Sequence, residues 1–201
     1  MSEHTVTELV LVRHGQTDAN ARGLLLGRLD VDLDEVGRAQ AAALAAALPT
    51  PDLVVTSPLA RARQTAAAFG VEVQVDEAWI ELDYGEWDGV PAGDVPPEAW
   101  AAWREDAAFA PPGGESLAAL TARVHAAVDG LAADADERRI VVVSHVSPLK
   151  AAAGWALGLG PEAAWRMYVA PASITRIGLG RPAATLRSFN ETDHLGGVGP
   201  A

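Results

Sequence analysis

The chain has no cysteine and a single lysine, Lys150, among its 201 residues. The first absence excludes disulfides, thiolate catalysis and cysteine-bound zinc or iron–sulfur centres. The second accompanies 27 acidic against 15 basic side chains and a formal charge of −12, a balance that disfavours nucleic acid as a partner because phosphate-backbone binding needs a basic face. Aromatic residues are sparse at 5%. No run of about 18 uncharged apolar residues occurs, so a membrane is not an expected partner either. Hydrophobic residues make up 49% of the chain, but much of this is alanine in helix-like tracts, and the mean hydropathy is only +0.10. The opening MSEHTVTELV has neither the basic nor the apolar region of a secretory leader, which makes the cytoplasm the expected compartment.

What the chain does have is arginine, at fourteen of its fifteen basic positions, several of them beside strand-like segments. An acidic protein can still build a local cationic pocket from such residues. The length suits one globular domain over 1–201, with a core at about 7–190 and a flexible tail at 191–201. The pattern predicts buried strands over ELVLVR (8–13), DLVVTS (52–57) and RRIVVVSH (138–145), with VEVQV (71–75) alternating enough to lie near a sheet edge. Between them fall helical stretches: one capped by Asp34 with Val36, Ala39, Leu44 and Leu48 on its inner face, one opened by Pro58, one capped by Ser116 or Gly114, and one from Ser147 to a glycine cap near Gly158. A Gly-, Pro- and Trp-rich excursion with a short helix near 97–107 crosses the sheet, and SITRIGLG and ATLRSFN close the chain as paired strands around Gly180, Arg181 and Pro182. Strands alternating with helices imply an α/β fold, a three-layer αβα sandwich on a mostly parallel central sheet.

In such folds ligands gather at the carboxyl ends of the strands, and three apolar strands here end in polar groups: Arg13-His14, Ser57 followed by Arg61, and Ser144-His145. A helix starting just after Ser57 would add free backbone N–H groups and a positive dipole end, a natural anion site. Taken singly, each residue has a plainer explanation: a strand-end histidine is usually a satisfied core group, and Arg61 alone would be a solvated helix arginine. His4, His125 and His194 fit that plainer role. Two histidines and two arginines converging on one edge form a phosphate-sized cluster.

With these residues in place the chain resembles the histidine phosphatase superfamily, which includes cofactor-dependent phosphoglycerate mutases and many small phosphatases. The resemblance runs through LVRHGQTDAN, TSPLARARQTA, IELDYGEWDG and VVVSHVSPLKA, in that order and over nearly the whole chain. It implies a phosphoglycerate mutase-like fold, His14 as the nucleophile that takes the phosphoryl group, and Arg13, Arg61 and His145 around the phosphoryl oxygens. It also implies Glu81 as the proton donor and acceptor, with Asp83, Glu86 and Asp88 as competitors in the same loop. Asn20 would be a further donor, with Gln16, Thr17, Leu26 and Gly27 as weaker candidates for substrate contact. The arginines would hold His14 neutral and stabilise charge on the transferred group, so neither metal nor cofactor is required. Gly15 would let the backbone pass close to that group.

From Leu82 to Trp103 there is no Lys or Arg, whereas a mutase needs extra cations for its second anionic group. The resemblance therefore implies a phosphatase acting on a small phosphomonoester, with a sugar, glycosylated or nucleoside-like leaving group at a tryptophan-lined mouth. A cofactor-dependent phosphoglycerate mutase is the alternative, and a non-catalytic phospho-ligand binding module the second. A metal-dependent hydrolase fits poorly, because the arginines would repel a divalent cation. Trp155 and Trp165 are candidates for a homodimer contact.

Overall fold

Strand β1, Thr7–Arg13, has side chains buried on both of its faces, and alternate residues divide between two separate cores. Leu9 and Leu11 enter one core and Val10 and Val12 the other, as the two-residue repeat of a strand requires when helices cover both faces of a sheet. The structure is a computed structural model and describes residues 7–134, 138–180 and 183–198.

After β1 come the four-residue α1, Asp18–Ala21, then α2, Glu35–Ala47, and β2, Leu53–Thr56. They are followed by α3, Ala60–Ala67, β3, Val73–Val75, α4, Pro97–Glu105, and α5, Leu117–Ala133. The chain continues through β4, Arg139–Ser144, α6, Val146–Leu157, β5, Ile174–Leu179, and β6, Thr185–Glu191. The strands form one sheet in the order β3-β2-β4-β1-β5-β6. β3, β2, β4 and β1 are mutually parallel, while β5 and β6 run antiparallel beside β1. Helices α5 and α6 cover one face with Leu120, Val124, Val128 and Leu149; α2 and α3 cover the other with Leu44, Ala62 and Ala66. Each fully buried Leu or Val contributes about 1.5–3 kcal/mol, so the two layers hold the sheet rigidly between them.

Register places the site. Arg13 pairs with Ser144 and Thr56 with Val143, so β1, β2 and β4 end within a residue of one another on the same edge. The predicted edge position of β3 holds, although the strand is shorter than expected. Asp34 caps α2 by accepting from the Gly37 N–H, and Ser116 caps α5 by accepting from Ala119. Gly158 ends α6 in the left-handed region at φ 66°.

Several details differ from the sequence-based expectations. The inner face of α2 is Gly37, Gln40, Ala41 and Leu44, while Ala39 is exposed. Gln40 is drawn inside because its Oε1 accepts from the Gln16 N–H, a partner that a hydropathy pattern does not register. Helix α3 begins two residues beyond Pro58. In the segment expected to be a tail, Leu195 is 6% exposed and packs into the second core, and Gln40 Nε2 donates to the Val198 carbonyl. Residues 199–201 lie outside the described residues, as do His4 and the Arg181-Pro182 part of the expected turn.

Candidate active site

His14 sits one residue beyond β1 and is 2% exposed. Its Nδ1 lies 2.7 Å from the Gly15 carbonyl, a contact that places the proton on Nδ1 and leaves Nε2 with a free lone pair. The ring lies 5.0 Å from that of His145. Burial pushes the His14 pKa well below 6.5, and the charges of Arg61 and then Arg13 push it further, against a small opposing effect of the Gly15 bond. The arginines do keep this histidine neutral, but burial is the larger cause.

His145 opens α6, and Arg61 stands one residue inside α3. Arg61 is fully buried, with Nη1 and Nη2 donating to the carbonyls of Leu29 and Gly27 at 2.8 and 2.7 Å and Nε donating to His145 Nδ1 at 3.3 Å. His145 Nε2 then donates to Ser57 Oγ at 2.7 Å, so the His145 ring is neutral as well. Burial, followed by Arg61, His14, Arg13 and Arg123, lowers its pKa well below 6.5. Desolvation also brings the Arg61 pKa down to about 10, opposed by Glu81, Asp30 and Asp88. Arg13 Nη1 donates to the Val169 carbonyl at 2.7 Å, while its buried Nε has no acceptor among the described residues.

Among the four acids of the 81–88 loop, burial separates one from the rest. Glu81 is 3% exposed, and its Oε1 accepts from the N–H groups of Leu82 and Ser147 at 2.7 and 3.2 Å; Oε2 has only a 3.4 Å contact to Ser147. Asp83 pairs with Arg28, and Glu86 is exposed. Asp88 accepts from three consecutive backbone N–H groups, those of Gly27, Arg28 and Leu29, at 2.7, 2.8 and 2.8 Å. It thereby fixes the segment whose carbonyls hold Arg61. Tyr84 lies beside Glu81, and burial and the carboxylate together push its phenol pKa up, but Trp87 packs away against Trp103 and Phe109.

The weaker candidates are mostly engaged in scaffolding. Gln16 Nε2 donates to Asp34, and Thr17 and Asn20 form a reciprocal capping box on α1. Gly27 contributes its backbone, donating to Asp88 and accepting from Arg61; Leu26 is buried. The reason for Gly15 also changes: a Cβ there would lie 2.4 Å from the Gly37 carbonyl, so glycine is needed for close packing of this loop on α2. The expected anion site at the start of α3 is occupied by the protein itself, since the Ala60 N–H donates to Asp30 and the Leu59 N–H to Ser57. His125 and His194 contact the Ala151 and Ala172 carbonyls. Trp155 donates to Asp129, and Trp165 packs on Trp100 and Trp103. Ser147 and the Val169 carbonyl were not anticipated, and Asp88 was expected only as a competing acid. Asp88 carried a signal as a loop carboxylate, but a backbone carbonyl carries none.

Two histidines, two arginines and a buried glutamate thus gather at the strand ends of an αβα sandwich. The chain belongs to the histidine phosphatase superfamily (branch 1), which it matches over residues 9–192. It is 39% identical over 184 residues to a glucosyl-3-phosphoglycerate phosphatase of Mycobacterium tuberculosis, covering 78% of this chain and 82% of the relative. The crystal structure of a phosphoserine phosphatase from Entamoeba histolytica in complex with 3-phosphoglyceric acid superposes with a TM-score of 0.88 at 28% identity, over 94% of this chain and 99% of that one. A bifunctional protein of Mycobacterium tuberculosis is 34% identical over 202 residues; that match takes in 95% of this chain, which spans only 56% of the relative's length. No helix among the described residues is long and apolar enough to cross a membrane.

Proposed function

We propose that the protein is a phosphomonoester phosphatase that works through a phosphohistidine on a small phosphorylated metabolite. The observation that carries this reading is the state of His14: its proton is fixed on Nδ1 by the Gly15 carbonyl, which leaves the Nε2 lone pair free, and the His145 ring lies 5.0 Å away. Matches to relatives named as phosphatases support the reaction class.

In the proposed reaction His14 Nε2 attacks phosphorus, forming the N–P bond as the ester P–O bond breaks. Arg13 and Arg61, held at their far ends by the carbonyls of Val169, Leu29 and Gly27, direct their remaining N–H groups at the equatorial oxygens. A dianion arriving beside His145 reverses the local field and favours its protonation, which adds a third cationic donor. Glu81 delivers a proton to the departing alkoxide. Its Oε2, the less engaged oxygen, is suited to that transfer. The ionised Glu81 then takes a proton from water as water attacks the phosphohistidine; the N–P bond breaks and inorganic phosphate leaves. Asn20, Gln16 and Thr17 shape the loop that carries His14, and Gly27 belongs to the segment whose carbonyls hold Arg61.

The test uses 4-nitrophenyl phosphate in the presence of EDTA. Phosphate release should proceed, and rapid acid-free quenching should trap a phosphoenzyme that His14→Ala abolishes. Turnover that depends on added divalent metal, or a phosphoenzyme that survives His14→Ala, overturns the mechanism.

A further inference from the structure

The two site arginines are anchored very differently. Arg61 has three acceptors, the carbonyls of Gly27 and Leu29 and Nδ1 of His145, whereas among the described residues the Val169 carbonyl is the one acceptor of the Arg13 guanidinium. The aim of Arg13 therefore depends on how that carbonyl is held. Val169 lies between α6 and β5, just before a tight turn in which the Ser173 N–H donates to the Ala170 carbonyl. Pro171 occupies the first central position of this turn, and Ala172 the second with φ 54°, the left-handed geometry that a type II turn ordinarily gives to glycine. Ala172 is fully buried in the second core, and a backbone of that kind persists only where its surroundings hold it.

Three contacts hold the turn. The Ala172 N–H donates to the His14 carbonyl at 3.1 Å, and His194 Nε2 meets the Ala172 carbonyl at 3.0 Å. The third bears directly on Arg13: the Ala170 N–H donates to Asn190 Oδ1 at 2.7 Å. That N–H and the Val169 carbonyl belong to one planar peptide unit, so Asn190 at one end sets the direction of the carbonyl that Arg13 meets at the other. Asn190 reaches the turn from a bulge in the edge strand. Between the pairs Ile174–Glu191 and Arg176–Ser188, β5 has one residue, Thr175, and β6 has two, Phe189 and Asn190. Asn190 takes the left-handed region at φ 58°, which asparagine tolerates better than most residues with a side chain, and its own N–H donates to Thr175 Oγ1 at 3.1 Å.

We propose that Asn190 is a positioning residue for phosphoryl transfer: it orients the peptide between Val169 and Ala170 so that its carbonyl aims Arg13 at the phosphoryl oxygens. The inference rests on the phosphatase reading above and adds to it a residue from the far edge of the sheet.

Asn190→Gly removes the acceptor but keeps the left-handed backbone, and Asn190→Asp keeps both. With 4-nitrophenyl phosphate, at a temperature where every variant is fully folded, Asn190→Gly should lower kcat/KM by about tenfold or more, the scale on which a small misplacement of a binding group acts, and Asn190→Asp should recover most of it. Unchanged kcat/KM in Asn190→Gly, whatever its Tm, or a loss that Asn190→Asp does not recover, overturns the proposal. Affinity for inorganic phosphate, which needs no turnover, tests the route. Asn190→Gly should weaken it by about threefold or more in the unmodified protein and by less than about twofold in an Arg13→Ala background. Equal weakening in both backgrounds means that Asn190 does not act through Arg13, and overturns the proposal as well. Absence of phosphate release by the unmodified protein overturns the phosphatase reading instead, and the phosphate-affinity comparison still decides whether Asn190 sets Arg13.

Discussion

Lowering the pH from about 7.5 to about 5.5 should destabilise the protein mainly through His14 and His145. Both are buried and neutral in the folded chain, with pKa values pushed well below 6.5 by burial and by the neighbouring arginine charges. The unfolded chain binds protons at these residues more readily, so their contribution to stability is fully present above about pH 6.5 and is lost as pH falls from there towards the folded-state values. A histidine that stays neutral throughout loses about 1.4 kcal/mol at about pH 5.5, and two lose about 2.7 kcal/mol. For a domain of this size that is a fall of about 5–11 °C in Tm. His194, whose pKa is also lowered by burial, adds a smaller share. Glu8, whose pKa is lowered by its bonds to Arg139 and Arg176 against the raising effect of burial, acts only in a more acidic window, below its ordinary 4.5. Calorimetry at the two pH values on the unmodified protein and on a His14→Gln, His145→Gln double variant isolates the pair. The variant should lose most of the pH dependence. If both proteins lose the same number of degrees, the two histidines are not held neutral by the fold, and the basis for a free Nε2 on His14 goes with it.

Two further substitutions probe the supports of the site. Asp88→Asn replaces a carboxylate that accepts three backbone N–H groups with a side chain that turns a donor towards one of them. A loss of about 1–3 kcal/mol in urea unfolding should accompany a fall in kcat/KM towards 4-nitrophenyl phosphate, because the Gly27 and Leu29 carbonyls no longer fix Arg61; unchanged kinetics would show that Arg61 is held without them. Gly37→Ala places a Cβ 2.0 Å from the Gln16 carbonyl oxygen, a backbone atom that moves only with the His14 loop. The urea midpoint should drop by the equivalent of about 1–3 kcal/mol or more, and an unaltered midpoint would mean that the loop and α2 are less tightly apposed than described.

The sheet could be read in advance because its signals are local. Runs such as VVV at 141–143 have β-branched side chains suited to a strand covered on both faces, and Asp34 and Ser116 mark helix starts through bonds to residues three positions away. The site histidines and arginines were legible for the same reason: each directly follows or closes an apolar strand, or lies within a turn of one. Gln40 went unnoticed and the packing role of Gly15 was missed because their partners, Gln16 and Gly37, belong to other elements. No periodicity encodes a contact of that kind.

By itself, then, the chain determined the α/β alternation, the edge on which functional groups would collect and the motifs that resemble the histidine phosphatase superfamily, since hydrophobic period, capping and chain order are properties of neighbouring residues. Tertiary structure decided what those groups could do. It buried Glu81 alone among four nearby acids, set the proton on His14 Nδ1 through a carbonyl, and closed the start of α3 with Asp30. It also placed Lys150 in the wall of an aromatic cavity, with no side-chain partner among the described residues. Protonation state, desolvation and pairing depend on distances between residues remote in sequence, and only packing sets those distances.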